Sequence, residues 1–192
     1  RGLVGSEMCI RDRFNRLGLK AIPMAAETGP IGGDLSHEFV ILAETGESQI
    51  YADKRILQID PSQYKFNDVS LQKMRKDFST IYAVTDEKFK ENEFNKQVSK
   101  ENQMVTKGIE VGHIFYFSDK YSKPMNCSID DKDGKKTSVK MGSYGIGVSR
   151  LVGASIEANF NNNIMKWPKT TSPFDVVIIC LLYTSPSPRD LY

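Results

Sequence analysis

Between residues 137 and 160 the apolar period of this chain changes from two to about 3.6 across a cluster of glycines. The pivot is Met141-Gly142-Ser143-Tyr144-Gly145-Ile146-Gly147-Val148-Ser149-Arg150-Leu151-Val152. Residues 137–144 alternate and are β-prone around Val139 and Met141, so they predict a strand. Residues 149–160 predict a helix, with Val152, Ile156 and Phe160 as an i, i+4, i+8 stripe beside Leu151. Ser149 is the expected N-cap. Gly142, Gly145 and Gly147 remove the Cβ where a flat ligand can lie against the backbone. Arg150 then falls in the first helical turn. There a planar guanidinium can pair bidentately with a phosphate, and the helix N-terminus adds partial positive charge.

Two better-known glycine motifs do not fit. Gly145-x-Gly147-x-x-Arg150 has an arginine where a dinucleotide fingerprint needs its third glycine, and no βαβ unit with an acidic ribose ligand follows. The chain also lacks the G-x-x-x-x-G-K-[ST] of a phosphate-binding P-loop. Taken by itself, the unit is equally readable as a packed strand–helix element with a solvated arginine.

Two further blocks accompany it: Ala25-Ala26-Glu27-Thr28-Gly29-Pro30-Ile31-Gly32-Gly33-Asp34-Leu35-Ser36-His37-Glu38-Phe39, and Gly108-Ile109-Glu110-Val111-Gly112-His113-Ile114-Phe115. With these, the stretch from Gly142 to Leu151 resembles motif 3 of the class II aminoacyl-tRNA synthetases. The three blocks in this order resemble the prolyl-tRNA synthetases of bacterial type in particular, over roughly residues 14–179. The resemblance implies an α+β fold with a mainly antiparallel sheet flanked by helices. It implies ATP and Mg2+ as cofactors, L-proline and the tRNA for proline as partners, and a homodimer for the full-length protein.

Family roles carry over residue by residue. Arg150 matches the motif 3 arginine, which holds the γ-phosphate of a bent ATP and is the catalytic assignment here. Gly145 and Gly147 belong to the same ATP-binding motif. Glu110 stands where the family has a polar residue contacting ATP and magnesium, and a carboxylate is a suitable hard ligand. His113 matches a nucleotide-contacting position. Phe115 matches a wall of the proline pocket, where an aromatic face suits a flat apolar pyrrolidine ring. Ser143 matches a small polar residue at the pocket floor, and His37 is placed with the proline-binding residues. Glu38 has no assigned role. By strict alternation, Glu110 shares a strand face with Gly112 and Ile114, while His113 and Phe115 share the other.

Composition sets the outer bounds. The chain has 192 residues, 40% hydrophobic content and net charge +2, which suits a globular core and is too weakly basic to argue nucleic-acid binding unaided. Cys9, Cys127 and Cys180 form no C-x-x-C pair, and His37 and His113 are the only histidines, which argues against a zinc site. No apolar run approaches the ~20 residues of a membrane span, and no signal-peptide pattern is present. The expected location is cytoplasmic.

The two ends read differently from the rest. Residues 1–13, with Ser6-Glu7-Met8-Cys9-Ile10-Arg11-Asp12-Arg13, and residues 181–192, with Tyr183-Thr184-Ser185-Pro186-Ser187-Pro188, resemble translated sequencing-adapter read-through and are set aside as non-native. Residues 14–171 are the expected C-terminal part of a class II catalytic domain, and residues 172–180 the truncated start of an anticodon-binding domain. The chain is thus expected to be an internal fragment without motifs 1 and 2, inactive by itself.

Within the fragment, residues 38–43 and 49–52 predict two strands around a Thr45-Gly46-Glu47-Ser48 turn, read as an antiparallel hairpin. Residues 53–107 replace the large editing domain that many bacterial relatives carry, and read as a reduced, solvated insertion. In it residues 70–82 predict an amphipathic helix on Leu71, Met74, Phe78 and Ile81, and Thr85-Asp86 caps a second helix through about Lys96. Residues 107–117 predict a strand. Asp130-Asp131-Lys132-Asp133-Gly134-Lys135 predicts a hairpin turn, since it lacks the twelfth-position Glu of a calcium loop. Two other functions stay open: a catalytically inactive synthetase-like regulator that binds nucleotide or amino acid, and a synthetase for another amino acid such as threonine.

Overall fold

The computed structural model describes residues 4–60, 63–65 and 67–178. Its spine is the sixteen-residue strand β5 (Gln103–Ser118), and the other long elements are arranged along it. These are β1 (Ala21–Ala25), β2 (Leu35–Leu42), β3 (Ser48–Asp53), β4 (Ala83–Thr85) and β8 (Met141–Ile146). They form one six-stranded sheet in the order β2-β1-β4-β3-β5-β8, and β2 also pairs with β5. The first five strands therefore close a circuit, and β8 adds to the outer edge of β5. The sheet is mixed: β1 and β4 run parallel, while the other pairings are antiparallel.

The expected β2–β3 hairpin does not form. Both strands run antiparallel to β5, β2 against residues 108–116 and β3 against residues 103–108, so they run in the same direction as each other. The Thr45–Ser48 turn is a jog and not a reversal: the chain leaves β2 and continues the same way as β3, because both strands pair with β5. The crossing is tight. A Cβ on Gly46 would lie 2.4 Å from the backbone of Gly108, and one on Gly108 would lie 2.2 Å from Val40 Cγ1. Neither position has room for a side chain.

The helices are α1 (Val4–Arg16), α2 (Asp68–Ser79), α3 (Glu91–Gln97) and α4 (Val148–Asn159). Helices α1 and α4 cover one face of the sheet. Ile10 and Phe14 of α1 and Ala154 of α4 pack on Phe39, Ile41, Val111 and Ile114. Each fully buried side chain of this size contributes about 1.5–3 kcal/mol. Residues 4–13, set apart in the sequence, lie within α1. There the buried Arg11 donates to Glu7 and lies 3.3 Å from the centroid of the Phe78 ring on α2. A second core of Ile22, Met24, Val40, Ile50, Ala52, Ile56 and Ala83 fills the closed strand circuit.

Residues 53–107 are more than a solvated excursion. They supply β4 to the sheet and bury Ile56, Met74, Phe94 and Val98. Tyr51 stacks on Phe89 with centroids 3.6 Å apart, and Phe94 meets both edge-on. The aromatic residues are few but clustered, which composition hides. The expected helix near 85–96 becomes a 3-10 turn at Asp86–Lys88 followed by α3, with Lys90 at the N-cap position. Of the amphipathic set on α2, Met74 is fully buried and Phe78 and Ile81 border the second core; the Leu71 side chain lies outside the described residues.

The hairpin expected around residues 130–135 forms as β6 (Ser128–Asp130) and β7 (Lys136–Ser138). A last small pair, β9 (Phe160–Asn161) and β10 (Ile164–Met165), follows α4. Residues 175–178 carry no strand, and Ile179, Cys180 and residues 181–192 lie outside the described residues. Helix α4 turns the expected stripe outward: Val152, Ile156 and Phe160 are 62%, 39% and 52% exposed, while Leu151, Ala154 and Ser155 face inward. Periodicity found the helix and not which side is covered. The N-cap is Gly147 with no side-chain cap, and Ser149 lies inside the first turn.

Candidate active site

Strand β8 lies antiparallel on β5 with Ser143 opposite Phe115 and Gly145 opposite His113. Paired residues point to the same side of a sheet, so Phe115, His113 and Ser143 share the face away from α1 and α4. The chain leaves β8 at Gly147 and enters α4 at once, which brings the first turn of α4 to the rim of that face. The result is an open groove of about 490 Å³, lined among others by Glu110, His113, Phe115, Ser143, Gly145 and Arg150. Apart from Gly145 itself and its two chain neighbours, no protein atom lies within 4 Å of where a Cβ on Gly145 would stand. That glycine opens directly into the groove.

Arg150 reaches down from α4 to β5. Its Nη1 donates to the Glu110 carbonyl at 2.9 Å and lies 3.4 Å from Glu110 Oε2 and 3.6 Å from Glu47 Oε1. The Arg150 side chain is 46% exposed and lines the groove.

Glu110 is on the same face as His113, contrary to strict alternation. The β2–β5 register slips between Phe39 and Val40: Phe39 pairs with Gly112, and Val40 with Glu110. Val111 is the extra residue of a β-bulge, and it turns inward to the core at 1% exposure. A bulge resets the side-chain parity of the strand. It places Glu110 Oε1 3.3 Å from His113 Nδ1. His113 at 3.3 Å, followed by the Arg150 guanidinium, holds the Glu110 carboxyl below its usual range against the opposing effect of burial.

Two residues without an assigned role join this group. Glu38 Oε1 lies 4.0 Å from His113 Nδ1, and burial followed by the nearby Glu110 charge pushes its carboxyl up. Ser36 Oγ lies 2.6 Å from His113 Nε2. The signal for both was present in the alternation of Ser36-His37-Glu38, but it needed the β2–β5 register to become a contact. Glu38 and Glu110 bring two carboxylates together beside His113, the ligand atoms of the three lying within 4.8 Å of one another. Hard oxygen donors beside a guanidinium fit a magnesium–phosphate ligand.

His37 does not join them. It points to the opposite face of β2, where its Nδ1 lies 3.9 Å from Glu7 Oε2. With Glu7, Tyr82 and Gln97 it lines a separate cavity of about 310 Å³. Burial opposes ionisation of Glu7, but the neighbouring His37 and the Arg11 charge outweigh it and hold the carboxyl at about 2.

A helix N-terminus with an arginine over a glycine-opened strand, facing two carboxylates, is an arrangement for a polyanion carried with a divalent cation. Residues 3–159 match the family model described as the tRNA synthetase class II core domain (G, H, P, S and T), and the chain belongs to that family. Among individual proteins, it is 58% identical over 171 residues to the proline–tRNA ligase of Pelagibacter ubique (strain HTCC1062), covering 88% of this chain. It is 53% identical over 169 residues to the proline–tRNA ligase of Bartonella bacilliformis (strain ATCC 35685 / KC583 / Herrer 020/F12,63), and 52% identical to that of Brucella abortus (strain S19), covering 86% of this chain in each case. The chain spans 38% of the length of each of these relatives.

Proposed function

We propose that this chain is the C-terminal part of the catalytic core of a proline–tRNA ligase, which activates L-proline with ATP and transfers it to the tRNA for proline. The observation that carries this reading is Arg150, standing in the first turn of α4 over the groove that Gly145, Ser143 and Phe115 line. Identity of 58% to a protein of that name supports the choice of amino acid.

In the first step a carboxylate attacks the α-phosphate of ATP, so two anions must approach. Stabilisation of developing charge is then the main demand, and no protein nucleophile is needed. In this reading Arg150 binds the γ-phosphate, its fork oriented by the Glu110 carbonyl. Glu110, with Glu38 beside it, would hold magnesium, which screens the phosphate charge. Gly145 and Gly147 let the nucleotide approach the backbone. Phe115 is a wall and Ser143 the floor of the proline pocket. His37, on the other face, is left out of that pocket. Among the described residues no helix is long and apolar enough to cross a membrane. The parent acts in the cytoplasm as a homodimer, with residues 14–171 as core, residues 172–180 opening an anticodon-binding domain, and residues 181–192 foreign to it.

The test is pyrophosphate exchange by the full-length parent against a panel of amino acids. Proline-dependent incorporation into ATP is expected. No exchange with any amino acid would favour a regulator, and exchange driven by threonine alone would move the chain to another member of the family.

A further inference from the structure

Both ring nitrogens of His113 face this chain's own groups. Nδ1 faces the Glu110 carboxylate at 3.3 Å, and Nε2 faces the Ser36 hydroxyl at 2.6 Å. A carboxylate only accepts, so Nδ1 carries the proton in the neutral ring, and Nε2 then accepts from Ser36. Ser36 is 2% exposed, so water cannot readily replace it. What His113 can offer the groove is therefore a ring face and carbon edge, not a nitrogen.

That ring begins a column along β5. His113 stacks on Phe115 with centroids 4.0 Å apart at 19°, and Phe115 on Phe117 at 5.9 Å and 14°. Tyr121 closes the far end edge-on to Phe117, and its hydroxyl donates to the Ile31 carbonyl at 2.6 Å. Within the column Phe115 lies between two rings, and the one nearest the groove is His113.

From this geometry we infer that Ser36 is a positioning residue: by fixing the His113 ring as a stacking platform, it sets the place of the Phe115 wall of the amino-acid pocket. The inference rests on the reading of Phe115 as that wall. Ser36 touches no substrate and acts only through the imidazole.

The test uses the full-length parent labelled with 15N-histidine, with His113→Asn to identify the His113 signals. In the wild type the two ring nitrogens are expected at well-separated shifts, one protonated and one accepting. Ser36→Ala should move both, and should raise KM for proline about tenfold with kcat for exchange within about twofold, the pattern of lost ground-state positioning. Ser36→Thr, which keeps the hydroxyl, should restore both readouts toward wild type. Ring-nitrogen shifts unchanged in Ser36→Ala, or an unchanged KM when they do move, would overturn the inference. If Ser36→Ala does not fold, Ser36→Cys keeps the volume with a weaker donor and must still shift the Nε2 signal; no shift overturns it equally. A parent without proline-dependent exchange would refute the proposed function, while the nitrogen shifts would still decide whether Ser36 sets the ring.

Discussion

Replacing Arg150 by alanine in the full-length parent should separate catalysis from folding. In the structure the guanidinium makes one good hydrogen bond, to the Glu110 carbonyl at 2.9 Å, and two looser approaches to the Glu110 and Glu47 carboxylates at 3.4 and 3.6 Å. At 46% exposure these contacts are largely screened, so their loss should cost stability only about 0–1 kcal/mol. A phosphate in the groove is a different partner. A hydrogen bond to a charged group is worth about 1.5–3 kcal/mol, or roughly 10- to 100-fold in rate when it acts on the transition state. Proline-dependent pyrophosphate exchange should therefore fall by that factor while the thermal midpoint stays nearly fixed. Arg150→Lys should fall between, since an ammonium keeps the charge and loses the planar fork. Exchange at the wild-type rate in Arg150→Ala would refute the assignment. A drop matched by a large loss of stability would show instead that the arginine serves the α4–β5 junction.

Three other outcomes follow from the same structure. Phe115→Ala should raise KM for proline and relax discrimination against other small apolar amino acids in the exchange assay; an unchanged KM would leave Phe115 as part of the aromatic column only. Glu7→Gln should leave the Arg11 guanidinium buried without its carboxylate, at a cost of about 3–5 kcal/mol in denaturant unfolding of this chain. Because the Glu7 carboxyl is held at about 2 against an ordinary 4.5, its contribution is complete above pH 4.5 and is lost as pH falls through about 2; acid unfolding equally steep in Glu7→Gln would contradict this. Finally, alanine is smaller than proline and a pocket excludes it by only ~1–3 kcal/mol. Residues 53–107 spend their apolar side chains on β4 and a small aromatic cluster, so the parent should depend on a separate hydrolase to clear alanyl-tRNA. Rapid deacylation by the purified parent, abolished by removing residues 70–100, would show otherwise.

Local pattern determined the elements whose signal is local. The period change at residues 137–160 located β8 and α4, and alternation located β5 and the shared face of His113 and Phe115. The placing of Arg150 in a first helical turn beside the glycines of β8 was legible, because spacing in a strand and a first helical turn fixes direction within a few residues. Tertiary structure alone decided which strands meet. The 43–47 turn looked like a hairpin because turn residues do not record the direction in which the chain continues, and β5 captured both flanking strands in the same direction. The bulge at Val111 has no composition signature; it turns Val111 into the core beneath α1 and α4 and carries Glu110 to the face of His113. Ser36 and Glu38 are 77 and 75 residues from His113 along the chain and meet it only through the β2–β5 ladder. Helical periodicity gave α4 an apolar stripe, yet the side that is buried was settled by the small Ala154 and Ser155, which let the helix approach the sheet while Val152 and Ile156 stay outside. Chemistry that depends on neighbours in sequence is written in the sequence; chemistry that depends on strand register is written only when the sheet closes.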